Sequence, residues 1–357
     1  VYKLNILWPM SINHHFSTKI QRWYSTHSRD LPWRQDNDPY RIWLSEVILQ
    51  QTRVAYGESY FKLFTSTFPT IQELANAPED QVLKLWQGLG YYSRARNLHK
   101  TAKLIANECN GVFPNNYTEL LALPGVGPYT AAAISSICFH LPHAVVDGNV
   151  YRVLARYFGI EDPIDTGQAK KRFETLANEL LDTKQPGNYN QAIMEFGALQ
   201  CKPKTPVCDL CILKDSCVAL EKNKVNHYPT KQASKPVKKR YFNYLVPLLP
   251  NKQTALIQRK EKDIWQHLYE FPMLESNSPL TLENISKESN LPEWVSADEV
   301  SLFNPEPWVH QLTHQRIYAS FWIVPTDSIA STPISISKLA DYPVSRLIER
   351  FLHKFFD

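Results

Sequence analysis

The sequence predicts an all-α domain followed by a smaller α/β domain, and three observations carry this. Up to residue 200 the apolar residues recur at helical spacing, with almost no period-2 alternation. Residues 229–240, PTKQASKPVKKR, hold five basic residues and no acidic one, the composition of an exposed linker. Beyond Tyr241 the pattern turns to β-rich runs and ends in one helix. The 357 residues suffice for two domains, or three modules if one is small.

In the first part, a helical pattern runs from Phe16 to Ser28 and breaks at Leu-Pro-Trp-Arg, 31–34. Asp38-Pro39 supplies a cap and a first-turn proline for a helix reaching about Gln51. A second runs from Arg53 to Thr65, and short helices follow between Pro69, Pro78 and Gly88. A longer helix from about Tyr92 ends near Gly111. Helices are then predicted over 117–122, 128–138, 149–158, 166–182 and 187–200. In the second part, Phe242–Leu249 and Thr254–Gln258 flank Asn251-Lys252, a hairpin turn. Arg316–Val324 is a β-rich run and Val344–Phe356 a closing helix.

Hydrophobic residues make up 43% of the chain, which fits a packed core rather than disorder. The net charge of +4 and pI of about 8.6 are mildly basic and do not by themselves point to nucleic acid. No apolar run approaches a membrane span, so no membrane partner is expected. The first residues, VYKLNILWPM, lack the apolar core and cleavage site of a signal peptide. Residues 1–12 read as an N-terminal extension, with Met10 a conceivable start. Four of six cysteines fall within 201–217; without an export signal this argues for metal rather than disulfides and for a cytoplasmic location.

Residues 123–149 read LPGVGPYTAAAISSICFHLPHAVVDGN. Gly125, Val126 and Gly127 form a two-glycine turn between helical patterns, where the backbone can turn sharply and approach a partner. The unpaired amides opening the next helix attract anions. The stretch is therefore either a helix-hairpin-helix that grips a DNA phosphate or an ordinary connection between helices. Cys201, Cys208, Cys211 and Cys217 follow a helix with the spacing C-x6-C-x2-C-x5-C. One C-x2-C knuckle instead of two fits a [4Fe–4S] cluster better than tetrahedral zinc. Lys202, Lys204 and Lys214 make this loop basic. Cys109 and Cys138 fall in helical patterns and read as buried thiols.

Together, the hairpin, the Val-Asp-Gly-Asn aspartate and the cysteine spacing resemble the helix-hairpin-helix DNA glycosylases with an iron–sulfur loop. That group includes the endonuclease III type and the adenine DNA glycosylases, the MutY family. The likeness runs from about residue 16 to 220. It implies a glycosylase domain over 13–228, built of a six-helix barrel module at about 34–143 and an iron–sulfur module of 13–33 plus 144–228. A basic linker at 229–240 and a Nudix-like domain at 241–357 would follow.

Glu46 decides the chemistry. On its helix it shares a face with Ile42, Trp43, Leu49 and Gln50, an apolar setting for a carboxyl. It is either a desolvated general acid with a raised pKa, or a surface glutamate on a differently rotated helix, or a glutamate paired to an arginine. As an acid it would protonate a purine ring nitrogen. Asp147 would then stabilise the oxocarbenium-like sugar, or attack it transiently before water completes hydrolysis, a division of roles usual for glycoside cleavage. Asp147 also reads as the N-cap of helix 149–158, which can keep its carboxyl ionised. Strand-cutting relatives carry lysine where this chain has Tyr129, and tyrosine cannot form a Schiff base. Tyr129 and Asn149 complete the expected catalytic group, in a glycosylase that does not cut the strand.

By the same resemblance Trp33, Arg34 and Gln191 would line the adenine pocket. Gln51 and Tyr91 would wedge the duplex, and Thr52 and Leu89 would touch the opposite base. For each, ordinary packing is the alternative. Ile264–Pro272, IWQHLYEFP, resembles the family's Gly-Leu-Trp-Glu-Phe-Pro stretch, with Tyr269 for the usual tryptophan. Residues 280–293 offer Glu283, Glu288 and Glu293 but no Arg-Glu pair to hold magnesium, so the domain reads as a binder rather than a second enzyme. Leu312-Thr313-His314 falls where the family has Phe-Ser-His, a loop that recognises 8-oxoguanine. The expectation is a monomeric adenine DNA glycosylase acting on A:8-oxoG or A:G mispairs in double-stranded DNA, with one [4Fe–4S] cluster, bacterial in type and working on the nucleoid. A glycosylase for mismatched thymine or oxidised pyrimidines is the rival on the same fold. A non-catalytic iron–sulfur DNA-binding or redox protein is the rival from another class.

Overall fold

Among the described residues, helices run from Met10 to Glu221 and the first strand begins at Lys238, in the computed structural model that gives the fold. It describes residues 10–233, 236–288, 290–296 and 298–356, and of residues 10–14 the backbone alone. The expected N-terminal extension lies outside the described residues up to residue 9.

The helices are α1 (Met10–His27), α2 (Pro39–Leu49), α3 (Val54–Thr67), α4 (Ile71–Asn76), α5 (Glu79–Leu85), α6 (Ser93–Glu108), α7 (Tyr117–Ala122), α8 (Pro128–Phe139), α9 (Gly148–Phe158), α10 (Gly167–Leu180), α11 (Pro186–Leu199) and α12 (Val218–Glu221). A 3-10 turn, Pro32–Arg34, separates α1 from α2. The caps are local and visible. Asp38 accepts from the amide of Tyr40, Asn116 from Glu119 and Thr166 from Ala169. α1 starts six residues before Phe16, because nothing between Met10 and Phe16 breaks a helix.

The chain divides into two compact units. One holds the described residues up to Asn76 together with Asn97–Ala233. The other holds Ala77–Arg96 and the described residues after Ala233. Residues 77–96, expected inside the six-helix module, are thus counted with the sheet. In the helical unit, α11 packs on α1, α8 and α9. The approach to α9 is close enough that a Cβ on Gly197 would lie 2.6 Å from the Cβ of Asn149.

The second unit is built on a mixed sheet. Its strands are β1 (Lys238–Leu248), β2 (Gln253–Thr254), β3 (Ile257–Gln258), β4 (Tyr269–Glu270), β5 (Met273–Ser276), β6 (Ser301–Leu302), β7 (Trp308–Gln311), β8 (Gln315–Pro325) and β9 (Ile334–Ser335). Two helices, α13 (Leu282–Ile285) and α14 (Arg346–Phe355), complete it. The main sheet runs β5-β1-β8-β6 with β7 also on β8; β1 and β8 are parallel and the other pairs antiparallel. Both central strands read as long apolar runs because both faces are covered. Phe242, Tyr244, Val246 and Phe321 pack in one core with Ile348 and Phe351 of α14. Leu245, Trp322 and Val324 pack in another with Leu280, Ile285 and Val300.

Two expectations need correction here. Asn251 and Lys252 both have positive φ, 61° and 54°, and the chain reverses there, with the Leu249 amide donating to Gln253. Yet the hairpin ladder stops at that point. β1 already has β5 and β8 along its edges, so β2 pairs with β9 and β3 with β4. The basic linker is also shorter than 229–240. Lys238 opens β1, and Arg240 is buried, donating to Asp263 and Glu275.

Candidate active site

Glu46 lies on α2 between buried Ile42, Trp43, Val47 and Ile48. Burial pushes its carboxyl up to about 7; a hydrogen bond from Tyr129 and the charge of Arg34 oppose this, and the charge of Asp147 adds to it. Tyr129, on α8, is held well above the usual phenol range by burial and by Glu46, so its hydroxyl keeps its proton. That hydroxyl also lies 3.2 Å from the sulfur of Met194, so its one proton is shared between the Glu46 carboxyl and that sulfur. The α2 and α8 faces therefore bring Glu46, Tyr129 and Asp147 into one electrostatic group.

Asp147 caps α9. Its Oδ1 accepts from the amides of Asn149 at 2.9 Å and Val150 at 2.8 Å, and its Oδ2 from the Asn149 side chain at 2.7 Å. Burial still pushes Asp147 above the ordinary aspartate range, against these bonds and the charge of Arg152. The helix start and its hydrogen bonds therefore lower this carboxyl's pKa by less than desolvation raises it. Asn149 is fixed in turn by Arg152, which donates to its Oδ1 at 2.8 Å, to the Gly197 carbonyl at 2.6 Å and to the Cys201 carbonyl at 2.7 Å. One guanidinium thus ties the aspartate's cap to the first cysteine of the loop. The sequence reading did not single out Arg152.

The four loop cysteines are free and half-buried. Among the described residues no three His, Cys, Asp or Glu side chains are gathered in a metal-holding arrangement. The donor set nonetheless suits four-thiolate ligation. Cys208, Cys211 and Cys217 each lie near enough to Cys201 to feel its charge. Arg156 donates to the Cys201 sulfur and the Leu213 amide to that of Cys211, both at 3.4 Å, the kind of N–H support that ligand sulfurs receive.

Trp33 and Arg34 sit on the 3-10 turn. Trp33 is buried edge-on against Phe61, as packing requires. Arg34 and Arg29 both pair with Glu195 on α11, whose carboxyl is fully enclosed. Burial alone would raise Glu195, but the two arginines overcome it and hold the carboxyl down at about 2. Gln191, one turn earlier on α11, accepts from the Tyr24 hydroxyl at 3.1 Å. A charge in the apolar run AIMEFGAL was the available signal for Glu195.

In the hairpin, Gly125 has φ +76°, and a Cβ there would lie 2.6 Å from that of Asn97. Gly127 has φ −91° with open space around it, so the turn itself requires only the first glycine. Val126 is buried. Gln51 is exposed with φ +58°, and Thr52 follows it, bonding back to the Gln50 carbonyl.

The remaining expected residues fall in the second unit. Tyr91 is 47% exposed with φ +47°, while Leu89 is buried. The hydroxyls of Tyr91 and Thr313 are hydrogen-bonded at 2.6 Å. Both line a cavity of about 530 Å³ with Trp265, His310, Leu312 and His314. Leu312 packs against the sheet core.

The chain resembles known proteins over most of its length. Residues 44–179 match the HhH-GPD superfamily of base excision DNA repair proteins, and residues 244–354 match the NUDIX domain. Over 311 residues the chain is 34% identical to an adenine DNA glycosylase of Buchnera aphidicola subsp. Schizaphis graminum, covering 87% of this chain and 86% of that protein. It is 42% identical over 217 residues to the human adenine DNA glycosylase, covering 58% of this chain and 40% of that protein. Among solved structures, a thermostable thymine-DNA glycosylase superposes with a TM-score of 0.55 at 30% identity, covering 59% of this chain and 98% of that one. A non-covalent endonuclease III–DNA complex shares the fold, with a TM-score of 0.53 at 22% identity over 60% of this chain and 98% of that one. The Buchnera relative matches through the helical part and into the sheet part, and on that ground the chain belongs to the adenine DNA glycosylase family.

Proposed function

We propose that this chain hydrolyses the N-glycosidic bond of adenine paired with 8-oxoguanine or guanine in duplex DNA, acting as a monomer and leaving the strand intact. The observation that carries the reading is Glu46, lifted to about 7 beside Asp147 and Tyr129. At neutral pH such a carboxyl can give a proton to a ring nitrogen of adenine. The bond from C1′ to the base then breaks, with its electron pair leaving on adenine. Asp147, held by Asn149 and the first amides of α9, faces the positive charge left on the sugar. Water adds to C1′ and its proton goes to the Glu46 carboxylate, which restores the acid. Tyr129 keeps its proton and offers no amine, so no Schiff base links protein to DNA.

Arg34 and Gln191 would flank the base, and Gly125, Val126 and Gly127 would meet a phosphate. Gln51 and Tyr91 would open the duplex, and Thr52, Leu89, Thr313 and His314 would read the opposite strand. Cys201, Cys208, Cys211 and Cys217 would hold one [4Fe–4S] cluster, which when bound would close the basic loop on itself. Among the described residues no helix is long and apolar enough to cross a membrane.

The test is cleavage of duplexes carrying A opposite 8-oxoguanine, A opposite G, T opposite G or an oxidised pyrimidine, followed by alkali. Cleavage of the first two alone is expected. Cutting only at T:G or at an oxidised pyrimidine would replace the reading with its same-fold rival. Borohydride on abasic-site duplex should capture little protein; strong capture, with strand breaks matching base loss, would overturn the monofunctional assignment.

A further inference from the structure

Glu195 is buried and charged, and it takes no part in the chemistry above. Its Oε1 accepts from the Arg29 amide at 3.0 Å and Nε at 2.7 Å; its Oε2 accepts from Arg29 Nη2 at 2.7 Å and Arg34 Nη2 at 2.9 Å. A carboxylate at 1% exposure persists only when paired this completely. Arg34 also donates to the Arg29 carbonyl at 3.3 Å, and its guanidinium lies 5.6 Å from the centre of the Tyr24 ring. Tyr24 in turn donates to Oε1 of Gln191. Contacts therefore run from Glu195 through Arg34 and Tyr24 back to Gln191, one helical turn from where they began. The Tyr24 hydroxyl occupies the oxygen end of the Gln191 amide, so its NH2 end is the one left to meet an acceptor nitrogen of a base.

We propose that Glu195 is a positioning residue for the adenine subsite: it holds Arg34, fixes through Tyr24 the orientation of Gln191, and sets the charge that Glu46 meets. This rests on the reading that Gln191 and Arg34 flank the excised base. The charged and titratable groups that act on Glu46 are Tyr129 of α8, Asp147 at the start of α9 and Arg34 of the 3-10 turn, and Cys138 of α8 feels the charge of Glu46 in turn. Of these only Arg34 is positive, and Glu195 balances it. Without that balance Arg34 draws Glu46 towards its ionised form, which cannot donate a proton.

The experiment is single-turnover adenine release from A:8-oxoG duplex across the pH range by the full chain and by Glu195→Gln, Glu195→Asp and Tyr24→Phe, each rate normalised to folded protein. Glu195→Gln is expected to slow release by about 10- to 100-fold, the scale of a misplacement near 1 Å. Its loss of rate with rising pH should begin at a lower pH than in wild type. Glu195→Asp should recover part of the rate. Tyr24→Phe, which removes only the hydroxyl on Gln191, should slow release about threefold or more. A wild-type rate in Glu195→Gln, or a slower rate with an unmoved pH profile, would overturn the proposal. Should Glu195→Gln fail to fold, wild-type behaviour in both Glu195→Asp and Tyr24→Phe would overturn it equally. Failure of the wild type to release adenine would count against the adenine reading itself and not against Glu195 alone.

Discussion

Burial that lifts Glu46 to about 7 makes it an acid at the pH where the ordinary carboxylate, near 4.5, is already spent. The rate should fall about tenfold per pH unit above 7, as the protonated share falls. On the acid side it should fall at a pH above the ordinary aspartate range, because Asp147 is raised as well. A single-turnover pH profile measures both limbs. Glu46→Gln should lose about 10²- to 10⁴-fold, the contribution of a positioned acid, with duplex binding retained, and Asp147→Asn should lose a similar amount. The same lift costs stability. Between about 4.5 and 7 the folded state binds more protons at Glu46 than the unfolded chain does, so stability falls as pH rises through that window. Glu46→Gln should therefore raise Tm over wild type more at alkaline pH than below 4.5; an equal shift at both would contradict the burial argument. Glu46 stood out in the sequence because a charge on an apolar helix face is conspicuous. Glu195 is equally conspicuous, but its partners Arg29 and Arg34 lie 166 and 161 positions away, and no local pattern joins them.

Capped helices announce themselves; pairings between distant elements do not. Asp38, Asn116, Asp147 and Thr166 each sit beside the amides they satisfy, so α2, α7, α9 and α10 begin within a residue or two of the sequence expectation. The partners of β1 depend on β5 and β8, which lie further along the chain, so the turn expected at Asn251-Lys252 forms but carries no ladder beyond the Leu249–Gln253 bridge. At the hairpin before α8 the two glycines separate two requirements. Gly125→Ala puts a side chain at φ +76° against Asn97 and should destabilise the protein by more than about 1 kcal/mol. Gly127→Ala meets open space at an ordinary φ and should change stability by less than about 1 kcal/mol. If the amides there approach a phosphate, Gly127→Ala should still weaken duplex binding. Thermal melting and duplex titration of both variants resolve the two; an unchanged affinity in Gly127→Ala would remove the phosphate from that position.

At the scale of the whole molecule, the division of the chain is not collinear with its sequence. Residues 77–96 count with the sheet because their partners lie there. Glu79 is hydrogen-bonded to His267, Asp80 accepts from Tyr269, Arg96 donates to the Gln266 carbonyl, and Tyr91 meets Thr313. These separations are invisible to periodicity, and the sequence reading accordingly placed 77–96 in the helical module. The consequence is that Tyr91 and Thr313 belong to one unit and line one cavity. The Thr313 hydroxyl already shares a hydrogen bond with Tyr91 in which either oxygen can donate, so reading an 8-oxoguanine means donating while Tyr91 donates to it, or exchanging that bond. Thr313→Val removes the hydroxyl and keeps the branched shape. It should lower discrimination of A:8-oxoG over A:G by about three- to tenfold, the value of one hydrogen bond, while A:G cleavage stays near wild type. Parallel single-turnover and duplex-binding measurements on the two mispairs give the ratio. An equal loss on both mispairs would make Thr313 a packing residue of its loop, and an unchanged ratio would send the search for the lesion reader elsewhere in the cavity wall, to His314 or Trp265.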